Sequence, residues 1–168
     1  MSESTLRTRG TMGFSAKAAA WLFVWMIGSA PFACAAEEVS TAAYAKQIAE
    51  LVNRERTSHR REELRLDAAL CEAAQARAAE IAVKYSHTRP DDREFQTALD
   101  DEDISYRIAE ENIGRSSSQT KPEAIMKVWM DGKAQRDNIL RPQFLRLGVG
   151  VVAGSRGELY WVQLFTGP

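Results

Sequence analysis

The chain has 168 residues, of which 45% are hydrophobic, and its 22 basic and 23 acidic residues give a formal net charge of −1 at pH 7. Once a leader is set aside, this length suits one domain with a single core. A chain that is close to neutral, and that lacks a basic stripe interleaved with aromatic residues, is not built to bind nucleic acid as its main partner.

The first 35 residues are typical of an export signal rather than of a folded element. A basic lead precedes an apolar run over residues 18–33, which is too short and ends too abruptly for a transmembrane span. The small-x-small triplet at residues 33–35 matches a signal-peptidase site. We therefore predict a signal peptide over residues 1–35 and one domain over residues 36–168. The mature chain has no predicted transmembrane helix, and we expect it in the periplasm or the extracellular space.

Cys34 leaves two outcomes of export open. A small residue followed by a cysteine after an apolar run is also the pattern of a lipidation site, although Pro31 and Phe32 suit that pattern poorly. We expect a soluble product and keep a lipoprotein anchored through Cys34 as the alternative. If Cys34 leaves with the signal, Cys71 has no partner for an internal disulfide, and the fold must be stabilised by packing.

Two amphipathic helices are predicted at the start of the mature chain. Ser40 or Thr41 can cap the first helix, which runs to about Arg56. Asp67 can cap the second helix, whose many alanines let another element approach closely. The predicted buried positions of the second helix follow spacings of three and four: Leu70, Ala74, Ala78, Ile81 and Tyr85.

The middle of the chain, residues 86–119, is loosely patterned, with a short helix over "REFQTALDDE" and an irregular "ISYRIAEENIG". Functional sites concentrate in such segments. A third helix follows, for which Thr120 and Glu123 are predicted to form a capping box around Pro122. Its predicted inward positions are Ala124, Ile125, Val128 and Trp129. One more short helix ends before Pro142.

The last two segments, "FLRLGVGVVAG" and "ELYWVQLF", predict the strands of a hairpin, because they are rich in β-branched and aromatic residues and "SRG" separates them. Both alternating sets of side chains in the second strand are mostly apolar, so both faces of the sheet need a cover. Helices are available for this. We therefore predict an α+β fold, an α-β-α sandwich with a small, largely antiparallel central sheet between helical layers.

A series of segments in fixed order carries a resemblance to a known family: "LVNRER", "LRLDAALCEAAQARAAEIAVKYSHTRPD", "YRIAEENIG", "AIMKVWMDGKAQRDNILRPQFLRLGVGVV" and "YWVQLF". Over about residues 46–166 the chain resembles a bacterial domain of the CAP superfamily, also called the SCP domain. The superfamily is named for cysteine-rich secretory proteins, antigen 5 and pathogenesis-related protein one. The resemblance implies the same α-β-α sandwich. It also implies a cleft with two histidines and one or two glutamates, which in some members bind a divalent metal.

Carried over onto this sequence, the cleft of the family falls on three positions. "SHTRP" supplies His87, and "EENI" supplies Glu111. The second histidine, which lies in the "GHRxNIL" segment of the family, is replaced by Gln135 in "AQRDNIL". Two further departures are Gly132, where some relatives have an acid, and Glu110, which replaces a glycine. Because Glu110 and Glu111 are adjacent, only one of them is expected to enter the cleft if the segment is extended.

The predicted cleft is a polar cluster rather than a metal centre. We expect Glu111 to accept a hydrogen bond from His87 and to favour its protonated form, with Gln135 completing the cluster. Asn112 and Asn138 are expected to hydrogen-bond the backbone around the cleft. The amide of Gln135 is a poor zinc ligand, so His87 and Glu111 are only weak metal candidates. No cofactor is expected beyond a weakly bound divalent ion, and a purely structural network is the alternative to ligand binding.

The remaining reactive side chains are weaker candidates for catalysis. Ser86 adjoins His87, but neighbouring side chains in an extended segment point apart. Cys71 lies within a predicted helix stripe, with no basic residue placed to lower the pKa of its thiol. His59 follows the first helix among arginines and is predicted to be solvated.

We therefore predict a monomeric, exported ligand-binding or interaction module at the cell envelope, favoured over an enzyme, although the sequence leaves catalysis open. The resemblance implies lipid or cell-wall material as the class of ligand, but no residue of the sequence identifies the ligand. The alternative is an envelope hydrolase of a peptide or cell-wall bond, with His87 as the general base and Glu111 orienting it.

Overall fold

The computed structural model describes residues 40–168, so the predicted signal peptide and Cys34 lie outside the described residues. The helices are α1 (Thr41–Ser58), α2 (Ala68–Val83), α3 (Thr97–Asp100), α4 (Pro122–Asp131) and α5 (Lys133–Leu140). The strands are β1 (Arg65–Leu66), β2 (Ile108–Ser117), β3 (Arg146–Ala153) and β4 (Glu158–Gly167). Within this range no helix combines the length and the apolar character needed to cross a bilayer.

The four described strands form one mixed sheet in the order β1-β3-β4-β2. Strands β3 and β4 are the predicted hairpin, and they pair antiparallel with Val151 opposite Trp161. Strand β2 pairs antiparallel with the other side of β4, whereas the short β1 runs parallel to β3. The prediction of a small, largely antiparallel sheet is therefore confirmed, and β2 forms one of its edges.

Helices cover both faces of the sheet because β4 is apolar on both sides. Trp161 and Phe165 lie on one face, where α1, α4 and α5 pack against the sheet. Val162 and Leu164 lie on the opposite face, where α2 and α3 pack. All four side chains are completely buried, which removes them from water and stabilises both layers. The predicted α+β fold with its α-β-α layers is confirmed.

The backbone of α2 lies directly on β3, because small residues meet at the contact. Ala73 and Ala74 are completely buried on the helix side. On the strand side, a Cβ added at Gly148 or at Gly150 would collide with the backbone of α2, at Leu70 and at Ala74 respectively. The alanines of α2 therefore have the predicted effect of letting another element approach closely.

Three details of the helix predictions are wrong. Tyr85 lies beyond the end of α2 and is 49% exposed, so it is not part of the buried stripe. Lys121 is the N-cap of α4, where no side chain caps the helix, so Thr120 does not form the capping box. Ala124 and Val128 are exposed, because a different stripe of α4 faces the sheet. The buried residues of α4 are Pro122, Ile125, Met126 and Trp129.

The segment "ISYRIAEENIG" is not irregular, because seven of its residues, 108–114, belong to the ten-residue strand β2. The alternation of apolar and polar residues that identifies a strand is absent from it. Glu111 and Asn112 are adjacent, polar and both buried, one on each face of the sheet. Because polar residues of β2 face both sides of the sheet, its sequence does not alternate between apolar and polar residues, and periodicity does not predict the strand.

Replacing Gly150 by alanine tests the contact between α2 and β3. The added Cβ would meet backbone atoms at Ala74, which cannot move unless the whole helix shifts. Overpacking of this kind costs about 1–3 kcal/mol of unfolding free energy, which urea denaturation measures. Ala153→Val is the control, since residue 153 is exposed at the end of the same strand. A Gly150→Ala protein as stable as the wild type would contradict the close contact.

Candidate functional site

His87 and Glu111 meet at the edge of the sheet. Glu111 lies on the edge strand β2, with its side chain completely buried on the face that α2 covers. His87 follows the end of α2, and its Nδ1 lies 2.8 Å from Oε2 of Glu111. The expected hydrogen bond between the two side chains is therefore present. It leaves Nε2 of His87 without a hydrogen-bond partner among residues 40–168.

Arg77 lies beside this pair, although no motif of the sequence identifies it as a site residue. Its completely buried guanidinium donates from Nε to Oε1 of Glu111 at 2.8 Å and from Nη2 to Oε2 at 3.3 Å. Nη2 also donates to the carbonyl of Ser86 at 2.9 Å. The sequence does contain an indication that Arg77 is a buried, partnered charge. Arg77 falls between Ala74 and Ile81 at helical spacings on the buried stripe, where a charge needs a partner.

A series of ion pairs continues from Arg77 into the loop that contains His87. Nη1 of Arg77 lies 2.6 Å from Oε2 of Glu80. Arg89 then contacts Oε1 of Glu80 at 2.6 Å through Nη2, and Oδ2 of Asp101 at 2.7 Å through Nη1. Burial alone would raise the pKa of Glu80, but hydrogen bonds from the two arginines lower it overall. The loop after α2 is thus held to the helix by charge.

Helix α5 brings amide side chains to the other face of β2. Nδ2 of Asn112 donates to the backbone carbonyl of Gln135 at 3.2 Å and to Oε1 of Gln163 at 2.9 Å. Nδ2 of Asn138 donates to Oδ1 of Asn112 at 3.0 Å. Asn112 therefore bonds the backbone as expected, whereas Asn138 bonds the side chain of Asn112 instead.

The side chain of Gln135 does not join the pair of His87 and Glu111. Its amide makes no hydrogen bond with another residue in the described range 40–168, so the expected three-residue cluster is not formed. The reason lies in the first turn of α5, whose N-cap is Gly132. The amide folds back over this glycine, and a Cβ added at position 132 would collide with Oε1 of Gln135. In this conformation the Gln135 amide therefore fills the space that a side chain at position 132 would occupy.

A cavity of about 210 Å³, which we call the histidine cavity, lies at this edge of the sheet. Its lining includes all five predicted cleft residues together with Glu110: His87, Glu110, Glu111, Asn112, Gln135 and Asn138. The expectation that only one of the two adjacent glutamates enters the site is wrong. Because β2 is an edge strand, residues from both of its faces border the cavity. Glu110 also pairs with Arg141, at 3.2 Å.

The hydrogen bond to Glu111 raises the pKa of His87 above its ordinary value of 6.5. Burial and the charge of Arg77 act in the opposite direction without cancelling this effect. The His87 side chain is 57% exposed, so water also stabilises its charged form. His87 is therefore protonated over a wider pH range than a free histidine, and in that form Nε2 is a hydrogen-bond donor.

The residues of the histidine cavity do not fit a metal ion. The carboxylate of Glu111 already contacts the guanidinium of Arg77, which repels a second cation, and it also occupies Nδ1 of His87. Gln135 offers only a neutral amide. In the part of the chain that the structure describes, no group of three or more His, Cys, Asp or Glu side chains could hold a metal. The chemistry of the site is that of charge and hydrogen bonds.

The other reactive residues named from the sequence lie outside this cavity. The hydroxyl of Ser86 accepts a hydrogen bond from the backbone N–H of Thr88 at 3.1 Å. His59 is exposed at the C-cap of α1. Cys71 is half-buried in α2, and burial is the main cause that raises the pKa of its thiol, which keeps the thiol protonated. None of the three is placed as a nucleophile beside His87.

A double-mutant cycle on Arg77 and Glu111 tests the buried ion pair. Arg77→Met leaves a buried carboxylate without its main partner, which costs about 3–5 kcal/mol of unfolding free energy. The double variant Arg77→Met/Glu111→Leu removes both charges. Its loss of unfolding free energy should be smaller than the sum of the losses in the two single variants. Urea denaturation measures all four proteins. Arg65→Met, at an exposed ion pair, is the control and should change stability little. Additive losses would show that the two residues do not interact.

The pH dependence of stability tests the contact between His87 and Glu111. The folded-state pKa of His87 is raised above 6.5, so the contact contributes fully below the unfolded-state pKa and is lost as pH rises through the folded-state pKa. The difference in unfolding free energy between wild type and His87→Asn should be largest at about pH 6 and smallest at about pH 9. A difference that grows with pH would reverse the assigned direction.

Comparison with known proteins gives one family. The sequence model described as "CAP: Cysteine-rich secretory protein family" matches residues 49–165. YkwD of Bacillus subtilis (strain 168) is 35% identical over 130 residues, which are 76% of this chain and 49% of YkwD. The chain thus spans about half the length of this curated relative.

Solved structures share the fold at lower identity. An extracellular protein with an SCP domain from Bacillus anthracis str. Ames has a TM-score of 0.68 and 24% identity, over 76% of this chain and 41% of that chain. An outer surface protein from Borrelia burgdorferi has a TM-score of 0.69 and 14% identity, over 77% of this chain and 96% of that chain. On the family match and the shared fold, the chain belongs to the cysteine-rich secretory protein family and is a CAP, or SCP, domain protein.

Proposed function

We propose that this chain is exported and acts as a ligand-binding or interaction module at the cell envelope. Export is supported by the signal-like residues 1–35 and by relatives described as an extracellular protein and an outer surface protein. A periplasmic or an extracellular location agrees with both observations. The product is a soluble monomer in this proposal, with anchoring through Cys34 as the alternative.

The observation that carries the binding proposal is a set of hydrogen-bonding groups at the histidine cavity that have no partner among residues 40–168. His87 offers Nε2, and Gln135 offers both ends of its side-chain amide. A few polar groups that converge on a cavity are the usual means of orienting a ligand. A protonated His87 donates, so the ligand presents an acceptor such as an amide carbonyl or a sugar hydroxyl. Cell-wall fragments and lipid headgroups both carry such groups.

Binding without turnover agrees with the direction in which the pKa of His87 is shifted. The raised pKa extends the pH range over which the imidazole is protonated, and in that form it cannot accept a proton as a general base. Among the described residues that line the histidine cavity there is no serine, threonine or cysteine to act as a nucleophile. A protonated imidazole next to an amide suits recognition of an acceptor better than bond cleavage.

A hydrolase of a peptide or cell-wall bond is the second candidate, and one distance favours it. Glu111 contacts Nδ1 of His87 at 2.8 Å, which is the arrangement in which a carboxylate orients a histidine base. Such an enzyme would need His87 in its neutral form. Its activity would therefore increase as pH rises through the raised pKa of His87.

Thermal denaturation with soluble peptidoglycan fragments, and in parallel with phosphatidylglycerol vesicles, tests the proposed function. A ligand present at 100 times its Kd adds roughly 2.7 kcal/mol to the unfolding free energy and raises the denaturation midpoint by several degrees. Gln135→Ala should abolish this stabilisation because it removes the unpartnered amide. Lys133→Ala is the matched control, since residue 133 lies on the same helix with its side chain in an exposed ion pair.

Mass spectrometry of the same mixtures separates the two candidates. Under the binding proposal the peptidoglycan fragments and the lipids are recovered unchanged. If products form with the wild-type protein and not with His87→Ala, and if the rate increases with pH, the chain is a hydrolase. The absence of any stabilisation by both probes would contradict the binding proposal.

A further inference from the structure

We propose that a second cavity, at the hairpin end of the sheet, binds an oxyanion, a phosphate or a carboxylate group, that is attached to an apolar body. We call it the hairpin cavity. It has a volume of about 490 Å³ and lies between the C-terminal end of α2, strand β2 and the turn that joins β3 to β4. The residues that carry the argument are Val83, Arg115, Arg156, Glu158 and Tyr160.

The hairpin cavity is separate from the histidine cavity. Arg115 follows Glu111 by four residues on β2, and both project from the same face of the strand, opposite Tyr160 and Leu164 of β4. Four residues of a strand span about 13 Å. The two cavities therefore do not share a lining residue, and the second site does not depend on the function proposed for the first.

Arg115 is the first of two cations at the hairpin cavity. Its Cζ lies 5.7 Å from the centroid of the Tyr85 ring, so the guanidinium rests on an aromatic side chain. No carboxylate of the described residues 40–168 lies within ion-pair distance of it. Stacking of this kind positions a guanidinium while leaving its N–H donors free.

Arg156 is the second cation, and it comes from a different element, the turn between β3 and β4. Its exposed side chain also has no carboxylate partner within the described range. Its backbone N–H donates to Oε2 of Glu158 at 3.2 Å, which ties this carboxylate to the turn. Two positive charges and one negative charge therefore border the cavity, which leaves an excess of one positive charge.

Two other arginines near this face of the sheet, Arg77 and Arg89, contact carboxylates. Arg77 contacts Glu111 and Glu80, and Arg89 contacts Glu80. Arg115 and Arg156 instead retain free donors beside a cavity. Guanidinium groups bind oxyanions through paired N–H donors, and two of them from separate elements can bind one anion from two sides.

Apolar surface next to the two arginines indicates what the anion is attached to. Val83 is 82% exposed at the end of α2, although it is a large apolar residue. The ring of Tyr160 borders the same cavity. An apolar body joined to the oxyanion would cover Val83 while the charged group contacts Arg115 and Arg156. The ligand class is therefore an amphiphilic anion.

Titration of the protein with phenyl phosphate, followed by ¹H–¹⁵N NMR at constant ionic strength, tests the proposal. We expect shifts at residues 82–83, at Arg115 and in the turn 154–157, with a Kd in the millimolar range or tighter. Arg115→Gln and Arg156→Gln should each weaken binding by about fivefold or more, because each removes charge-assisted hydrogen bonds. Arg107→Gln is the matched control, an exposed arginine without a carboxylate partner among the described residues. Both arginines of the cavity are exposed, and unchanged spectra away from the cavity show that the variants fold.

Two further probes define the ligand chemistry. Phenol has the same ring without the charge and should not shift these signals. Benzoate replaces phosphate by carboxylate, so the tighter of the two anions identifies the group that the cavity prefers. The proposal is overturned if phenyl phosphate shifts no signals at the cavity, if phenol binds equally well, or if Arg107→Gln weakens binding as much as the other two substitutions.

Discussion

The buried ion pair between Arg77 and Glu111 joins helix α2 to the edge strand β2, and the geometry of the histidine cavity depends on it. Moving two charges out of water costs several kcal/mol for each ion unless each charge is fully partnered. Here the carboxylate is shared by Arg77 and His87, and the guanidinium also contacts Glu80 and the carbonyl of Ser86. One buried interaction thus fixes the positions of a helix, a strand and the loop that carries His87.

The same ion pair gives the site a different electrostatic character from a metal centre. Where a metal would supply positive charge next to a carboxylate, Arg77 already does so from inside the protein. The resemblance to the family implies a second histidine at position 135, and this chain has a glutamine that folds over Gly132. An acid at position 132 and this conformation of Gln135 exclude each other sterically. The departures at 132 and 135 are therefore neighbours in space, and between them they remove a ligand and an acid from the site.

The sequence predicts the packed layers well and the site less completely. The hairpin, the cap of α2 at Asp67 and the two-sided burial of β4 follow from local patterns that packing does not override. Strand β2 could not be predicted from periodicity, because an edge strand that borders a cavity carries polar residues on both faces. Arg77 was identifiable as a charge on a buried stripe, but its partner is 34 residues away, and only the fold shows that Glu111 lies opposite it. The side-chain direction of Gln135 depends on the first turn of α5, which the motif alone does not specify.

The contact of α2 with Gly148 and Gly150 has a consequence for recognition. A helix whose backbone lies directly on a strand has little room to slide or rotate. Arg77 on this helix contacts the Glu111 carboxylate, which in turn contacts the His87 imidazole, so these groups are already held together before a ligand enters. Association with a rigid receptor loses little conformational entropy, so even a small ligand with few contacts can be held with useful affinity. The conformational entropy of these groups is lost during folding instead, when α2 packs against Gly148 and Gly150 of the strand.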